Sequence, residues 1–297
     1  MKVRVGYGIT GARPLAPAAF AALVDALEGH GWDSLWLSER IGAPSPDPVT
    51  ALAYAAGRTR RIKFGTSVSV LPGRNPADLA KQWATLDQLS GGRALPAFGL
   101  GVVHPNEQQA FGVERGERVA RFEEMLPLLR RIWNEDSVDH DGAFFQYEGL
   151  RVEPKPTKRL DVWMGGRAPA ELRRIGRLAD GWLASFAMPE TCARGRDAIE
   201  RAARDAGRAI EPDHFGAMIF YRHGPLAEGV AQLIASRPGN DVDPEVLVPD
   251  GFDAVRDRCL EYVRAGISKL VLVPFTEPRD WGEELAAGAA AIRAIET

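Results

Sequence analysis

About eight short apolar runs, each separated from the next by a stretch with helical spacing, limit this chain to few architectures. The first run alternates Val3, Val5 and Tyr7 with polar or small residues. Ser34-Leu35-Trp36-Leu37-Ser38 is almost continuously apolar, as expected of a strand covered on both faces. Further runs lie at Ile62–Leu71, Ala94–Phe98, Val162–Met164, 181–185, 215–221 and Lys269–Val273.

The stretches between them carry helix signals. Phe20, Leu23, Val24 and Leu27 recur at i, i+3, i+4 and i+7, and Gly29 and Gly31 stop that helix. Asp47-Pro48 supplies an N-cap and a proline at the first helical position. Pro76 opens a helix with Leu79, Trp83, Leu86 and Leu89 on one face, ended by Gly91-Gly92. Phe122, Leu126, Leu129 and Trp133 mark a long helix. Others are expected at 168–179, at about 190–207, through Val255, Cys259 and Val263, and in the Ala-rich tail 280–295.

Strand–helix alternation is shared by open doubly wound sheets and closed barrels. The strand count favours the α/β class in its (β/α)8 TIM barrel form, and a length of 297 accommodates a barrel of about 250 residues with insertions. The expectation is a single domain over 1–297, with insertion segments at about 100–116, 137–153 and 222–250. Asp141-Gly142 is a favoured tight turn, so the second reads as a hairpin. The third is polar, Pro- and Gly-bearing and weakly periodic, which suits a functional loop or an interface element.

Several functions are disfavoured. With 37 basic and 40 acidic side chains the net charge is −3, so there is no general electrostatic reason to bind nucleic acid or an anionic membrane. Cys192 and Cys259 form no C-x-x-C pair and read as two buried reduced thiols, at home in a reducing cytoplasm. No apolar run reaches the roughly 18 residues of a membrane span, and no secretory signal is evident. A soluble cytoplasmic protein is expected. No H-E-x-x-H or comparable metal set appears, and G-x-S-x-G is absent. Phe98-Gly99-Leu100-Gly101 lacks the third glycine of a dinucleotide fingerprint.

What remains lies at strand ends, where a barrel places its chemistry. Ser38-Glu39-Arg40 follows the second strand; such a pair orients a substrate or is a rim ion pair. Gly65-Thr66-Ser67-Val68, continuing to Leu71, offers apolar side chains and small hydroxyls to a flat ligand, or is an ordinary β-branched strand. Gly99 and Gly101 permit close backbone approach, and His104 follows as a polar tip or a solvent-facing residue. Gly165-Gly166-Arg167 opens a helix, which suits a phosphate or is a plain strand-to-helix turn; Ser185 follows the sixth strand. Small and apolar residues dominate, which suits a cofactor that carries its own chemistry.

The order of several segments resembles the luciferase-like monooxygenase superfamily. They include Gly31-Trp32-Asp33-Ser34-Leu35-Trp36, Asp47-Pro48-Val49-Thr50-Ala51-Leu52, Lys63-Phe64-Gly65-Thr66-Ser67-Val68 and Ala84-Thr85-Leu86-Asp87-Gln88-Leu89-Ser90-Gly91-Gly92-Arg93. Glu107, Phe111-Gly112, Glu117-Arg118, Pro154-Lys155-Pro156, Trp163-Met164-Gly165-Gly166 and Ala179-Asp180-Gly181-Trp182 continue the match, which fades between 190 and 250. Trp36-Leu37-Ser38-Glu39-Arg40 is most similar to the branch that uses coenzyme F420, a 5-deazaflavin. The resemblance implies a ring near the barrel centre against Ser67, Val68 and Leu71, with backbone approach at Gly99 and Gly101. Its phosphate would lie at Gly165, Gly166, Arg167 and Ser185. A non-proline cis peptide is common in that branch and would fall at Ser67-Val68.

Substrate contact would come from Glu39, Arg40, His104 and the 222–250 segment. Many relatives carry Asp-His where this chain has Glu39-Arg40, and a guanidinium is too basic for that histidine's proton-transfer role. Arg40 is suited instead to binding a substrate oxygen. The implied activity is hydride transfer between F420 and a small organic substrate. The alternatives are an FMN-dependent monooxygenase fed by a separate reductase and a flavin-binding protein without catalysis. Dimers are common among similar proteins, which leaves a homodimer open.

Overall fold

The computed structural model describes residues 1–9, 16–237 and 242–296. In chain order the elements begin β1 (Arg4–Ile9), α1 (Pro17–His30), β2 (Ser34–Leu37), α2 (Pro48–Arg58), β3 (Lys63–Thr66), β4 (Ser69–Val70), α3 (Pro76–Ser90), β5 (Ala94–Leu95) and β6 (Ala97–Gly99). They continue α4 (Pro105–Phe111), α5 (Arg118–Asn134), β7 (Val138–Asp141), β8 (Gln146–Leu150), β9 (Trp163–Gly165), α6 (Pro169–Leu178), β10 (Gly181–Ala184) and α7 (Pro189–Asp205). The last are β11 (Phe215–Tyr221), α8 (Glu228–Ala235), α9 (Pro244–Leu247), α10 (Gly251–Arg264), β12 (Lys269–Pro274) and α11 (Trp281–Ile292).

One parallel sheet of 10 strands runs β4-β6-β9-β10-β11-β12-β1-β2-β3-β5. Its two ends belong together. β3 and β4 are halves of one strand interrupted at Ser67-Val68, and β5 and β6 are halves of another interrupted at Pro96. β3 pairs with β5 and β4 with β6, so the ten segments make eight positions that curl shut. Thr66 bridges the interruption: its Oγ1 donates to the Ala97 carbonyl at 2.7 Å and accepts from the Ala97 amide at 3.2 Å. The expected (β/α)8 architecture is thus present, with helices around the strands. The 137–153 segment is an antiparallel hairpin, β7–β8.

Two tryptophans fill the inside. Trp36 on β2 is fully buried, and glycines on the adjacent strands make room for it. A Cβ at Gly65 would lie 2.3 Å from the Trp36 ring, and one at Gly6 3.0 Å from its Nε1. Trp163 on β9 is flanked in the same way by Gly181 and Gly216, with the two indoles 6.2 Å apart. Large residues opposite glycines give the dense filling that a small barrel needs. A second, larger apolar layer lies between the strands and the outer helices. Both cysteines are buried free thiols.

Three details depart from the sequence reading. Leu89, expected on the buried face of α3, is 70% exposed; the buried stripe runs through Leu79, Trp83, Leu86 and Ser90, as a 3.6-residue period requires. The 100–116 segment holds the helix α4, too short to show periodicity; His104 caps it and Pro105 begins it. The 222–250 segment contains α8 and α9 and buries Ile234, Leu247 and Val248. Its apolar residues are sparse because it has one apolar surface to cover, and that surface is the barrel mouth. Residues 238–241 of that segment lie outside the described residues. No helix among the described residues is long and apolar enough to cross a membrane.

Candidate active site

The strand C-termini meet around Val68. The Ser67-Val68 peptide is cis, at the place the resemblance assigns. Val68 is half-buried and packs against the apolar cluster that contains Trp36, Ala97, Trp163 and Leu183. Gly99 and Gly165 flank it: a Cβ at Gly99 would lie 2.6 Å from Val68 Cγ2, and one at Gly165 3.1 Å from Cγ1. Gly101 faces Val70 at 3.0 Å in the same sense. The sequence reading gives these glycines to a ligand; in the structure they first make room for valines. Ser38 and Ser67 share a hydroxyl contact at 3.1 Å, and Ser38 Oγ donates to the Ser67 carbonyl at 3.1 Å. The centre of the mouth is therefore a branched apolar side chain bordered by small hydroxyls. Leu71 is not part of it, being fully buried in the outer apolar layer.

Glu39 has a different task from the one expected. Its carboxylate is buried, accepts from the Val70 amide at 2.6 Å and pairs with the Arg74 guanidinium. Arg74 Nε in turn donates to the Val70 carbonyl at 2.9 Å. Burial pushes the Glu39 carboxyl above its usual range, against the pull of Arg74. Both oxygens are thus committed to fixing the turn after β4. His104 is exposed, and its Nδ1 accepts from the Asn106 amide at 3.3 Å.

Arg40 lies on the exposed side, with Nε 3.7 Å from Glu107. Glu107 was a family match in the sequence and not a site residue, yet it is buried at this edge. It accepts from the amides of Ile41 and Gly42 at 3.4 and 3.2 Å. The signal for it is its place in a segment that matches the family, shortly after Gly99 and Gly101.

The phosphate loop is also partly occupied. The amides of Arg167 and Ala168 both donate to Glu171 Oε2, at 2.8 and 2.9 Å, so a carboxylate of the chain sits where the sequence reading places a phosphate. The Arg167 guanidinium donates to the Phe186 carbonyl at 2.9 Å, which brings it to the end of β10. Ser185 is half-buried beside it at the end of β10. Phe186 has a positive φ of 53°, and stacks on Phe220 with centroids 4.1 Å apart. Phe220 stacks on Phe275 at 4.9 Å. From the 222–250 segment Arg237 lies 3.7 Å over the Phe186 ring. Neither Phe186 nor Arg237 was singled out in the sequence.

These residues fit a flat, largely apolar ring over Val68. They fit an anionic tail through the Arg167 side chain and Ser185, and not through the loop amides, which Glu171 holds.

Comparison with known proteins places this geometry. The family model described as luciferase-like monooxygenase matches residues 3–228. The chain belongs to the luciferase-like monooxygenase family. Within it, a phthiodiolone/phenolphthiodiolone dimycocerosates ketoreductase of Mycobacterium sp. (strain JLS) is 31% identical over 70% of this chain and 62% of its own length. An F420-dependent glucose-6-phosphate dehydrogenase of Amycolatopsis mediterranei (strain U-32) is 28% identical over 91% of this chain and 92% of its own. For several of the curated relatives, the ketoreductase among them, the match spans less than two thirds of their length. Among solved structures, an F420-dependent secondary alcohol dehydrogenase in complex with an F420-acetone adduct superposes with a TM-score of 0.83 at 21% identity, covering 100% of both chains. Another neighbour of the same fold is an FMN complex.

Proposed function

We propose that this member of the luciferase-like family is an oxidoreductase, one barrel domain with inserted segments, that uses coenzyme F420 on a small organic substrate. Val68, standing half-buried at the centre of the mouth, carries the reading: it gives a flat ring a branched apolar bed packed on the barrel's inner apolar cluster. When bound, the deazaflavin supplies hydride exchange at C5. The chain's own work is then positioning. Gly99 and Gly165 seat Val68, and the Ser38–Ser67 pair presents hydroxyls beside it. Glu39 and Arg74 hold the turn that carries Val70. Arg40, braced by Glu107, offers a cation to a substrate oxygen that gains charge during transfer. Relatives named F420-dependent support this cofactor.

A second reading, an FMN-dependent monooxygenase, is favoured by the family description itself. Fluorescence titration with F420 and with FMN separates the two. Saturable binding of F420, and oxidation of reduced F420 by a panel of enones, imines and ketones without oxygen uptake, is the expected result. Binding of FMN alone, with substrate-coupled oxygen consumption, would replace the first reading by the second.

A further inference from the structure

Exposed apolar side chains collect on the face that carries the mouth. Among the described residues nine large apolar side chains are exposed, and five of them, Ile41, Val102, Val103, Leu233 and Val246, stand on segments that leave strand C-termini. Scattered exposed apolar residues are ordinary, whereas grouped ones mark a contact surface. Ile41, Val102 and Val103 are grouped. The Ile41 and Gly42 amides donate to Glu107 on α4, and a Cβ at Gly42 would lie 2.7 Å from Asn106 Nδ2 on the same helix. Val102 and Val103 lead from β6 into that helix, and they are 39% and 60% exposed. The ends of β2 and β6 thus form one apolar rim, with Arg40 next to Ile41.

The rim continues inward. Val102 also lines a cleft with Val70, Pro72, Leu100, Gly101 and Phe111, of about 240 Å³ including its open side. Val70 follows Val68 by two residues and Gly101 faces it, so the cleft lies beside the apolar bed at the centre of the mouth. The two charged residues on its wall are committed to backbone. Glu107 accepts from the two amides above, and Arg118 Nη1 donates to the carbonyls of Leu100, Gly101 and Val102 at 3.3, 3.2 and 3.1 Å. Arg118 Nε and Nη2 are buried away from solvent. Rim and cleft therefore offer a ligand branched hydrocarbon, with the Arg40 guanidinium at the edge where Glu107 braces it. Sugar hydroxyls placed there would lose water without gaining partners, while an aliphatic body would release water from both surfaces.

We propose that Ile41, Val102 and Val103, with the cleft behind Val102, bind the body of the substrate. The substrate is then a neutral ketone or secondary alcohol with an aliphatic or alicyclic body, its oxygen facing Arg40. This substrate class deepens the oxidoreductase reading above and rests on it; the apolar site itself does not.

The probes are the 2-alkanones from butanone to 2-octanone, titrated into the cofactor-free protein by calorimetry, with glucose 6-phosphate as the polar comparison. Affinity should rise about threefold to fourfold per added methylene until the cleft is filled, and glucose 6-phosphate should not compete. Val103→Asp and Ile41→Asp, both at exposed positions, should each lose at least tenfold for 2-octanone and bind F420 as wild type does. With reduced F420 the same series should be turned over with KM falling as the chain lengthens. Affinity that does not change with chain length, or is equal in wild type and both variants, overturns the apolar site. Reduction of F420 by glucose 6-phosphate without turnover of the alkanones overturns the substrate class and keeps the cofactor. If the alkanones bind with the expected slope and F420 does not bind, the cofactor reading falls and the apolar site stands. Wild type that sediments as a dimer broken by Val103→Asp gives the rim to a second copy of the chain and overturns the proposal.

Discussion

A single missing methyl group decides the shape of the mouth. At Gly99 a Cβ would press on Val68 Cγ2 at 2.6 Å, and Val68 cannot retreat because Gly165 already receives its other methyl. Overpacking of this kind costs about 1–3 kcal/mol. Gly99→Ala should therefore lower the urea midpoint and weaken F420 binding together. Gly29→Ala is the opposite case: the residue is exposed on α1 with nothing within 4 Å, so the variant should gain roughly 0.5–1 kcal/mol and leave binding unchanged. Equal effects from the two would show that the space around Val68 is not limiting. The sequence displays both glycines with equal weight; the neighbour that needs the space is visible only in three dimensions. Similarly, Glu39 reads as a reactive carboxylate until the Val70 amide and Arg74 are seen to occupy it. Arg237 gave no signal, because its partner Phe186 is far away in the chain and the stretch around it lacks periodicity.

Elements were legible where a period or a cap was strong. Each barrel strand was anticipated as an apolar run, and Asp47, Pro76, Gly31 and Gly91 mark helix ends in the structure as in the sequence, whereas Gly29, read as part of the stop, lies inside α1. The start of α6 was harder, since Ala168 has no capping side chain; Glu171 three residues on supplies the carboxylate instead. Removing it has two consequences that oppose each other. Glu171→Ala strips acceptors from the Arg167 and Ala168 amides and should cost about 1 kcal/mol by urea denaturation. It also removes a negative charge beside Arg167, so F420, an anion, should bind more tightly to the variant. A weaker F420 affinity would place the tail away from this loop. α8 and α9, the described cover of the mouth, are held by few apolar anchors, and Ile234 is the buried one on α8. Ile234→Ala removes packing worth about 2–4 kcal/mol locally. Cleavage within the cover by a dilute protease should accelerate at least tenfold, while the global unfolding midpoint moves little, because the barrel beneath does not depend on α8.

At the scale of the molecule, strand ends divide the labour: the C-terminal ends carry the mouth, and the N-terminal ends carry a charged floor. The barrel was legible because buried strands and amphipathic helices alternate; the floor was not, because Asp33 and Lys269 stand at opposite ends of the sequence. Lys269 is buried, pairs with Asp33, and lies 5.8 Å from the Trp36 ring that fills the interior. Burial presses the Lys269 ammonium below its ordinary value, with Asp33 opposing. Burial alone would raise the Asp33 carboxyl, but Lys269 and Lys63 outweigh it and hold the group below its ordinary value of 3.8. A carboxyl lowered by folding stabilises fully above its unfolded value, and the contribution disappears as pH falls through the folded value. Acid unfolding of wild type should therefore steepen below pH 3.8, and Asp33→Asn should lack that portion of the curve. At neutral pH the same variant leaves a buried ammonium without its counter-charge, at about 3–5 kcal/mol. Replacing both partners by apolar residues, Asp33→Leu with Lys269→Met, should recover most of that loss, since a buried pair exchanged for packed apolar groups is close to neutral. Urea denaturation of the three proteins at pH 7 and pH 3 checks the sign and the recovery together. A double variant no more stable than Asp33→Asn would mean that the ion pair itself, and not merely the avoidance of an unpaired charge, holds the barrel floor closed.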